Sequence, residues 1–419
     1  MPGNSRHLGR VLVILVPMSH SFPWQRTAQG ANLLGSDGHL ASTIFEEVTV
    51  LAARHGAINL GQGFPDADGP EFMARAAAEN IMADHNQYAP GAGIVELREA
   101  IAAHQQHFYG LAPDPASGVV VSTGATEAIA ASVLALVNPG DEVVTFEPFY
   151  DSYGATIALA GGVHRTVPLR APDFQPDPQD LERAVTAKTR MILLNNPHNP
   201  TGTVFGRSVL EQIVELAARH DAIIVSDEVY EHLTFGDRHL PVASIDGAWE
   251  RTITISSAGK TFSFTGWKVG WATGPSDLIA AVRTVKQFLT YSSGPAYQPA
   301  VAQALQLPDT YFTDFAADLG ERGTQLADGL EAAGMTVYRP RGTYFVVADV
   351  APLGFVNAAD LARRMPEAIG VAGIPLSVFC HEEGALATRS LMRFAFCKQR
   401  DVLTEATRRL ARLPQVMPA

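Results

Sequence analysis

Long apolar runs are missing from this chain. No stretch approaches the roughly 18 uninterrupted apolar residues that a transmembrane helix needs. The nearest is Val11–Val16, preceded by Arg6 and Arg10 and followed by Pro17 and Met18. That run is too short for a signal-peptide core, and no small-x-small cleavage site follows it. Residues 1–17 read instead as a disordered tail, or as an over-long start with Met18 as the initiator. Cysteine is also scarce. Cys380 and Cys397 are the only two, which excludes a disulfide framework and a four-thiolate zinc site and fits a reducing, cytoplasmic compartment. Basic residues are outnumbered: 31 Lys and Arg against 43 Asp and Glu give 31 − 43 = −12. That balance argues against non-specific nucleic-acid binding, which needs excess positive charge along a face, and against a polybasic membrane anchor. There are 13 histidines but no HExxH. His104 and His107 lie one helical turn apart without an accompanying carboxylate motif, so they read as a polar helix face and no metal is expected.

What is present is an ordinary globular composition, 47% hydrophobic over 419 residues. At roughly 150 residues per domain this allows two or three domains. Residues 19–36 are polar and rich in Gly and Ser, an arm with no core of its own. From about residue 71 to residue 305, short β-branched runs alternate with helical patterns. Val119–Ser122, Glu142–Phe146, Met191–Leu194, Ala222–Ser226 and Thr252–Ser256 read as strands, Glu127–Val137 and Ser208–His220 as helices. Near-continuous apolar strands alternating with helices predict an α/β fold, a mostly parallel sheet covered on both faces. The last 110 or so residues change character: helix Phe312–Ala333, strands Thr343–Val350 and Leu391–Phe396, and a terminal helix Arg400–Leu413 predict a smaller α+β domain. The expected organisation is a disordered extension (1–34), an arm contributing to the small domain (35–70), a large domain (71–307) and a small C-terminal domain (308–419). Ala57–Gly63 is expected to pack with the small domain.

Ligands of α/β sheets bind beyond the carboxyl ends of the strands, so the residues just after each strand matter most. Val119–Ser122 runs into Thr123-Gly124-Ala125-Thr126-Glu127, small residues opening a helix, where backbone N–H groups and the helix dipole suit a phosphate. Met191–Leu194 is followed by Asn195-Asn196-Pro197-His198-Asn199-Pro200-Thr201-Gly202, a rigid loop centred on Asn199. Ala222–Ser226 ends at Asp227-Glu228-Val229-Tyr230. A carboxylate at the end of a buried strand is costly unless paired, and a protonated ring nitrogen would pair it. Thr252–Ser256 leads to Ser257-Ala258-Gly259-Lys260, where a partly desolvated Lys can lose its proton and act as a nucleophile. Each feature alone is also compatible with a plain turn. Their order and spacing are specific: Asn199, Asp227 28 residues later, Tyr230 three after that, and Lys260 33 after Asp227.

This series resembles the fold type I, class I/II aminotransferases that use pyridoxal 5′-phosphate (PLP), over almost the whole chain from Ile58 to Arg393. The blocks INLGQGFPD, NQYAPG, EPFYDSY, NPHNPTG, DEVYEH and the run Ser256–Trp271 are similar to the branch holding kynurenine, glutamine and methionine aminotransferases, and most of all to bacterial N-succinyldiaminopimelate aminotransferases. The resemblance implies transfer of an amino group from an amino-acid donor to a 2-oxo acid acceptor such as 2-oxoglutarate, in lysine biosynthesis. It implies that Lys260 binds PLP covalently and shuttles the proton, that Asp227 pairs with the pyridinium nitrogen, and that Asn199 and Tyr230 bond the ring's phenolic oxygen. Tyr150 would stack on the ring; Ala125, Thr126, Ser257 and Lys268 would hold the phosphate. Tyr88 would reach the partner's site in a homodimer. Arg393 would clamp the substrate α-carboxylate, and Gly63 and Phe45 would line the substrate entrance. Phe45 stands where kynurenine-type members carry Trp, and Thr290-Tyr291-Ser292-Ser293-Gly294 lacks their bulky aromatic–His pair, which counts against kynurenine preference. Two other readings are a broad-specificity glutamine, methionine and kynurenine aminotransferase with β-elimination from cysteine conjugates on the same cofactor, and a ligand-sensing domain of a transcription regulator. The second lacks any helix–turn–helix pattern or basic stripe ahead of the fold.

Overall fold

The computed structural model describes residues 22–35, 38–83, 86–236 and 238–416. The Val11–Val16 run and Met18 lie outside them. After the short strand β1 (Ile58–Asn59), seven strands build one sheet: β2 (Val119–Thr123), β3 (Glu142–Glu147), β4 (Val163–Pro168), β5 (Thr189–Asn195), β6 (Ile223–Asp227), β7 (Thr252–Ser257) and β8 (Val269–Thr273). Their spatial order is β2-β8-β7-β6-β5-β3-β4. All neighbours are parallel except β8, which runs antiparallel to both β2 and β7. Strands β3, β6 and β7 are buried along their whole length, as expected for a sheet covered on both faces. Each strand named from the sequence is present, with ends shifted by at most two residues.

The carboxyl ends of β5, β6 and β7 carry Asn195, Asp227 and Ser257 side by side, with Asn195 in register with Asp227 and Asp227 with Ile255. That alignment gathers three of the predicted motifs at one edge.

A second sheet lies C-terminal: β9 (Thr336–Tyr338), β10 (Phe345–Asp349), β12 (Ile374–Pro375) and β13 (Leu391–Ala395), antiparallel in the order β12-β13-β10-β9. The remaining strand, β11 (Val371–Ala372), pairs in parallel with β1. Leu60 N donates to Ala372 O at 2.9 Å and Ala395 N donates to Leu60 O at 2.6 Å. Ala57–Gly63 is therefore anchored on the small sheet, as its sequence suggested. Helix Asp309–Ala332 packs against helix Arg400–Leu410 and closes this region.

One expectation needs correction. The extension was to be disordered through residue 34, but Pro23–Gly30 is a helix packed on helix Ser152–Ala160. Its polar composition hides how it docks. Gly30 and Gly154 face each other at the crossing, and a Cβ on Gly30 would come within 2.5 Å of Gly154 O and 2.6 Å of Ala158 Cβ. Two missing side chains let the backbones touch, a packing device that hydrophobicity does not register. Gly154→Ala tests it. Alanine is the better helix former by about 0.5–1 kcal/mol, whereas overpacking costs about 1–3 kcal/mol. The variant is expected to melt earlier and to lose its N-terminal segment faster to limited proteolysis. A variant as stable and as resistant as the parent would show that the helix docks differently.

Candidate active site

A cavity of about 290 Å³ opens at the carboxyl ends of β5, β6 and β7. It is lined by Gly63, Gly124, Ala125, Thr126, Tyr150, Asn199, Asp227, Tyr230, Ser257, Lys260 and Lys268, among others. Eleven of the residues singled out from sequence motifs thus share one cavity wall.

Asp227 is its deepest charge. Its carboxylate accepts from Tyr153 Oη at 2.6 Å, and burial raises its pKa to about 6 despite that bond. Among the described residues no ion pair neutralises it. A cationic N–H aimed at it from the cavity would repair the desolvation cost. Lys260 lies in the four-residue helix Ala258–Thr261 that follows β7. Burial lowers its pKa to about 8, against Asp227 and Cys397, which favour the ammonium, while Arg393 and Lys268 oppose it further. Its Nζ donates to Tyr344 Oη at 2.7 Å, and Tyr344 Oη donates on to Gly63 O at 2.7 Å.

Helix Gly124–Leu136 points its N-terminus at the cavity. A Cβ on Gly124, at φ +74°, would sit 3.1 Å from Lys268 Nζ, so a small residue leaves room for an anion between the helix end and a lysine. Lys268 itself holds φ 54°, a left-handed conformation that costs a non-glycine residue energy and turns up most often at functional sites. Asn199 is positioned through Asn195: its N donates to Asn195 Oδ1 at 2.6 Å, and Asn195 Nδ2 in turn donates to Asp227 O at 2.8 Å. Tyr150 packs edge-on against Tyr153 at 5.6 Å, and burial pushes its pKa up to about 12. Burial also pushes Tyr230 up.

Arg393, in β13, is not on the cavity wall but behind Asn199. Its Nη1 donates to Asn199 Oδ1 and its Nη2 to Gly61 O, both at 2.9 Å. Its Nε has no partner. The guanidinium lies 4.0 Å from the Phe345 ring centre, 4.7 Å from Phe379 and 5.8 Å from Phe45. Burial lowers its pKa to about 10, so it stays charged at neutral pH. Phe45 thus contacts the cation and not the cavity lining. Tyr88 is not brought to this site: it is 83% exposed and meets Tyr291 edge-on at 5.4 Å.

Tyr153 and Tyr344 are residues that reading the sequence missed. Tyr344 is the second residue of the predicted strand Thr343–Val350, and the strand-end rule looks only at carboxyl ends. Its contact with Lys260 spans 84 residues.

The chain matches the family of class I and II aminotransferases over residues 55–410. It is 49% identical over 385 residues to a probable N-succinyldiaminopimelate aminotransferase of Mycobacterium tuberculosis, covering 90% of this chain and 97% of that one. A methionine aminotransferase of Escherichia coli is 37% identical over 375 residues, covering 89% and 96%. The solved structure of N-succinyldiaminopimelate aminotransferase from M. tuberculosis superposes with a TM-score of 0.86 at 50% identity, covering 89% and 97%. The chain belongs to the class I and II aminotransferases, with their fold type I architecture. It is an aminotransferase that uses PLP. The cavity fits that cofactor: an anion cradle at Gly124 and Lys268, an unneutralised carboxylate at Asp227, and an amine at Lys260 on the same wall.

Replacing Tyr344 by Phe removes an acceptor that favours the Lys260 ammonium. In cofactor-free Tyr344→Phe enzyme, the pH midpoint for modification of Lys260 by an acylating reagent should move below the parent value of about 8. A midpoint that stays put would mean the hydroxyl does not tune the amine.

Proposed function

We propose that this enzyme takes N-succinyl-L,L-diaminopimelate as amino donor and 2-oxoglutarate as acceptor, working as a cytoplasmic homodimer in lysine and diaminopimelate synthesis. The observation that carries the donor is the 49% identity, over nearly the full length of both chains, to a probable N-succinyldiaminopimelate aminotransferase. The lower 37% identity to a methionine aminotransferase supports the broad-specificity alternative less well.

PLP supplies an electron sink for the carbanion formed when the donor Cα loses its proton. Lys260 would hold the cofactor, and its amine would carry that proton. Burial keeps a substantial neutral fraction near physiological pH, since its pKa falls to about 8. Tyr344 would hold the amine once it is released, as it does here. Asp227 would pair with the ring nitrogen and favour its protonated form; Tyr153 keeps the carboxylate ionised by donating to it. Asn199 and Tyr230 would bond the ring's phenolic oxygen, and Tyr150 would pack on the ring. Ala125, Thr126, Ser257 and Lys268 would hold the phosphate, with Tyr88 reaching across from the other protomer of a homodimer. Arg393 exchanges its carbonyl partner for the substrate α-carboxylate in a charge-assisted pair, with Gly63 and Phe45 beside it. Binding there brings the small sheet down on the cavity and excludes water.

Lys260→Ala is expected to abolish turnover, and normal turnover would overturn the assignment of the amine. Arg393→Ala loses a charge-assisted interaction of about 3 kcal/mol, so kcat/KM for the donor should fall roughly a hundredfold. An unchanged kcat/KM would place the carboxylate elsewhere. Glutamate formation from 2-oxoglutarate, measured with N-succinyl-L,L-diaminopimelate, methionine, glutamine and kynurenine in turn, decides the donor. A clear preference for the succinylated donor supports the proposal. Equal or faster turnover of the others makes the enzyme a broad amino-acid transaminase.

A further inference from the structure

Behind the PLP site, on the far side of β6 and β7, lies a buried group of ionisable side chains that transamination does not use. His104 comes from helix Val95–Tyr109; Glu231 and His232 come from the turn that follows Tyr230. One ligand atom from each lies within 4.8 Å of the other two. We propose that His104, Glu231 and His232 form a binding site for one divalent transition-metal ion of the zinc class.

The tautomers fit. His104 Nδ1 lies 3.1 Å from Leu305 O. A carbonyl oxygen only accepts, so Nδ1 carries the hydrogen and Nε2 presents its lone pair. This is the arrangement that orients metal-bound histidines, with the second ring nitrogen donating to a carbonyl. That lone pair points at His232 Nε2, 2.7 Å away. A metal ion between the rings takes both Nε2 lone pairs, with His232 in its Nδ1–H form and no change in its net charge. At a zinc–nitrogen distance of roughly 2.0–2.1 Å in tetrahedral geometry, the two nitrogens would sit about 3.4 Å apart. The rings therefore part by roughly 0.7 Å, with the part-buried His232 shifting against its aromatic neighbours.

The third ligand needs a cation. Glu231 is 3% exposed and accepts from Ser256 Oγ at 2.5 Å, from Gln105 Nε2 at 3.4 Å and from the Tyr109 hydroxyl, yet among the described residues it makes no ion pair. The nearby Glu228 differs, because His239 and the Val242 amide already engage it. Next to the cluster, Gln105 Oε1 is buried without any partner, in a residue 1% exposed. A water on the ion would supply the missing donor and complete four-fold coordination. Two imidazoles, a carboxylate and a water suit zinc, cobalt or iron and disfavour calcium and magnesium, which take oxygen ligands. The ion has a route in. A cleft of about 470 Å³ is lined by Glu231, His232, Tyr109 and Arg238. The helical spacing of His104 and His107 is not the relevant pair: His107 faces Asp309 at the surface, 2.7 Å away.

The test uses the PLP-loaded enzyme after dialysis against a chelator. Titration with Co²⁺ should give visible ligand-field bands beyond the cofactor's absorption that saturate at one ion per chain, and Zn²⁺ should displace them. His104→Gln and His232→Gln should each weaken binding roughly a hundredfold or more, since even loss of an orienting partner costs 10- to 100-fold. His381→Gln removes a residue from a separate, part-buried histidine pair, in which His381 Nε2 lies 3.0 Å from His164 Nδ1, and should bind as the parent does. Absence of saturable binding in the parent overturns the proposal without any variant having to fold. Binding that survives both substitutions overturns it as well.

Discussion

Asp227 sets the terms for the rest of this active site. Its carboxylate stands at the end of a wholly buried strand, and burial keeps its pKa raised, at about 6, even with donors bonded to it. Left alone it would tend to take up a proton. Tyr153 and the Val229 amide donate to it and oppose that tendency. The remaining cost is met when a cation approaches through the cavity. Lys260 feels the same low dielectric with the opposite sign, so burial lowers its pKa to about 8. One desolvated pocket thus produces an acid that wants a positive neighbour and an amine that readily gives up its proton. The cofactor of this family offers a ring nitrogen to the first and an electrophile to the second.

The parallel sheet is what makes these groups neighbours. Asn195, Asp227 and Ser257 end adjacent strands, with Asn195 in register with Asp227 and Ser257 two residues beyond Asp227's partner Ile255, and each strand hands its side chain to the same edge. The small sheet is tied in by a few long-range bonds. Arg393 reaches Asn199 across 194 residues and Gly61 across 332, and Tyr344 reaches Lys260 and Gly63. These contacts lie at the junction of the two sheets, where a movement of one against the other changes what the cavity presents.

Much of this was legible beforehand, for a physical reason. Strands β5, β6 and β7 are apolar runs punctuated by a polar residue, and the rule that α/β sheets bind at carboxyl ends turns that punctuation into a site. Asn199, Asp227, Tyr230 and Lys260 could be found this way because each belongs to a local motif. Tyr344 could not, because its role depends on packing between sheets far apart in sequence. Strands β4 and β8 were also absent from the strand pattern, since β4 carries His164 and Arg165 and β8 carries Gly270, so neither is a clean apolar run. The helix Pro23–Gly30 was hidden because it docks through glycines and not through a hydrophobic stripe. His104 was visible only as half of the wrong pair, because its partner lies 128 residues away.

The surroundings of Arg393 bear on which acids the enzyme can hold. A buried guanidinium without a carboxylate is expensive, yet here three phenylalanine rings and two oxygen acceptors surround it. Aromatic faces stabilise a weakly hydrated, planar cation without neutralising it. The charge therefore persists, with a pKa of about 10, and its Nε remains without a partner. A lysine would fit this position poorly, being strongly hydrated and unable to stack. A cation kept charged but incompletely bonded attracts a carboxylate more strongly than one already paired, because no existing ion pair must be broken first. Phe45 helps build that environment from the N-terminal arm, packing edge-on against Phe379 at 5.4 Å. Recognition of the substrate's acid group consequently depends on three parts of the chain at once: the arm, the large sheet through Asn199, and the small sheet through β13.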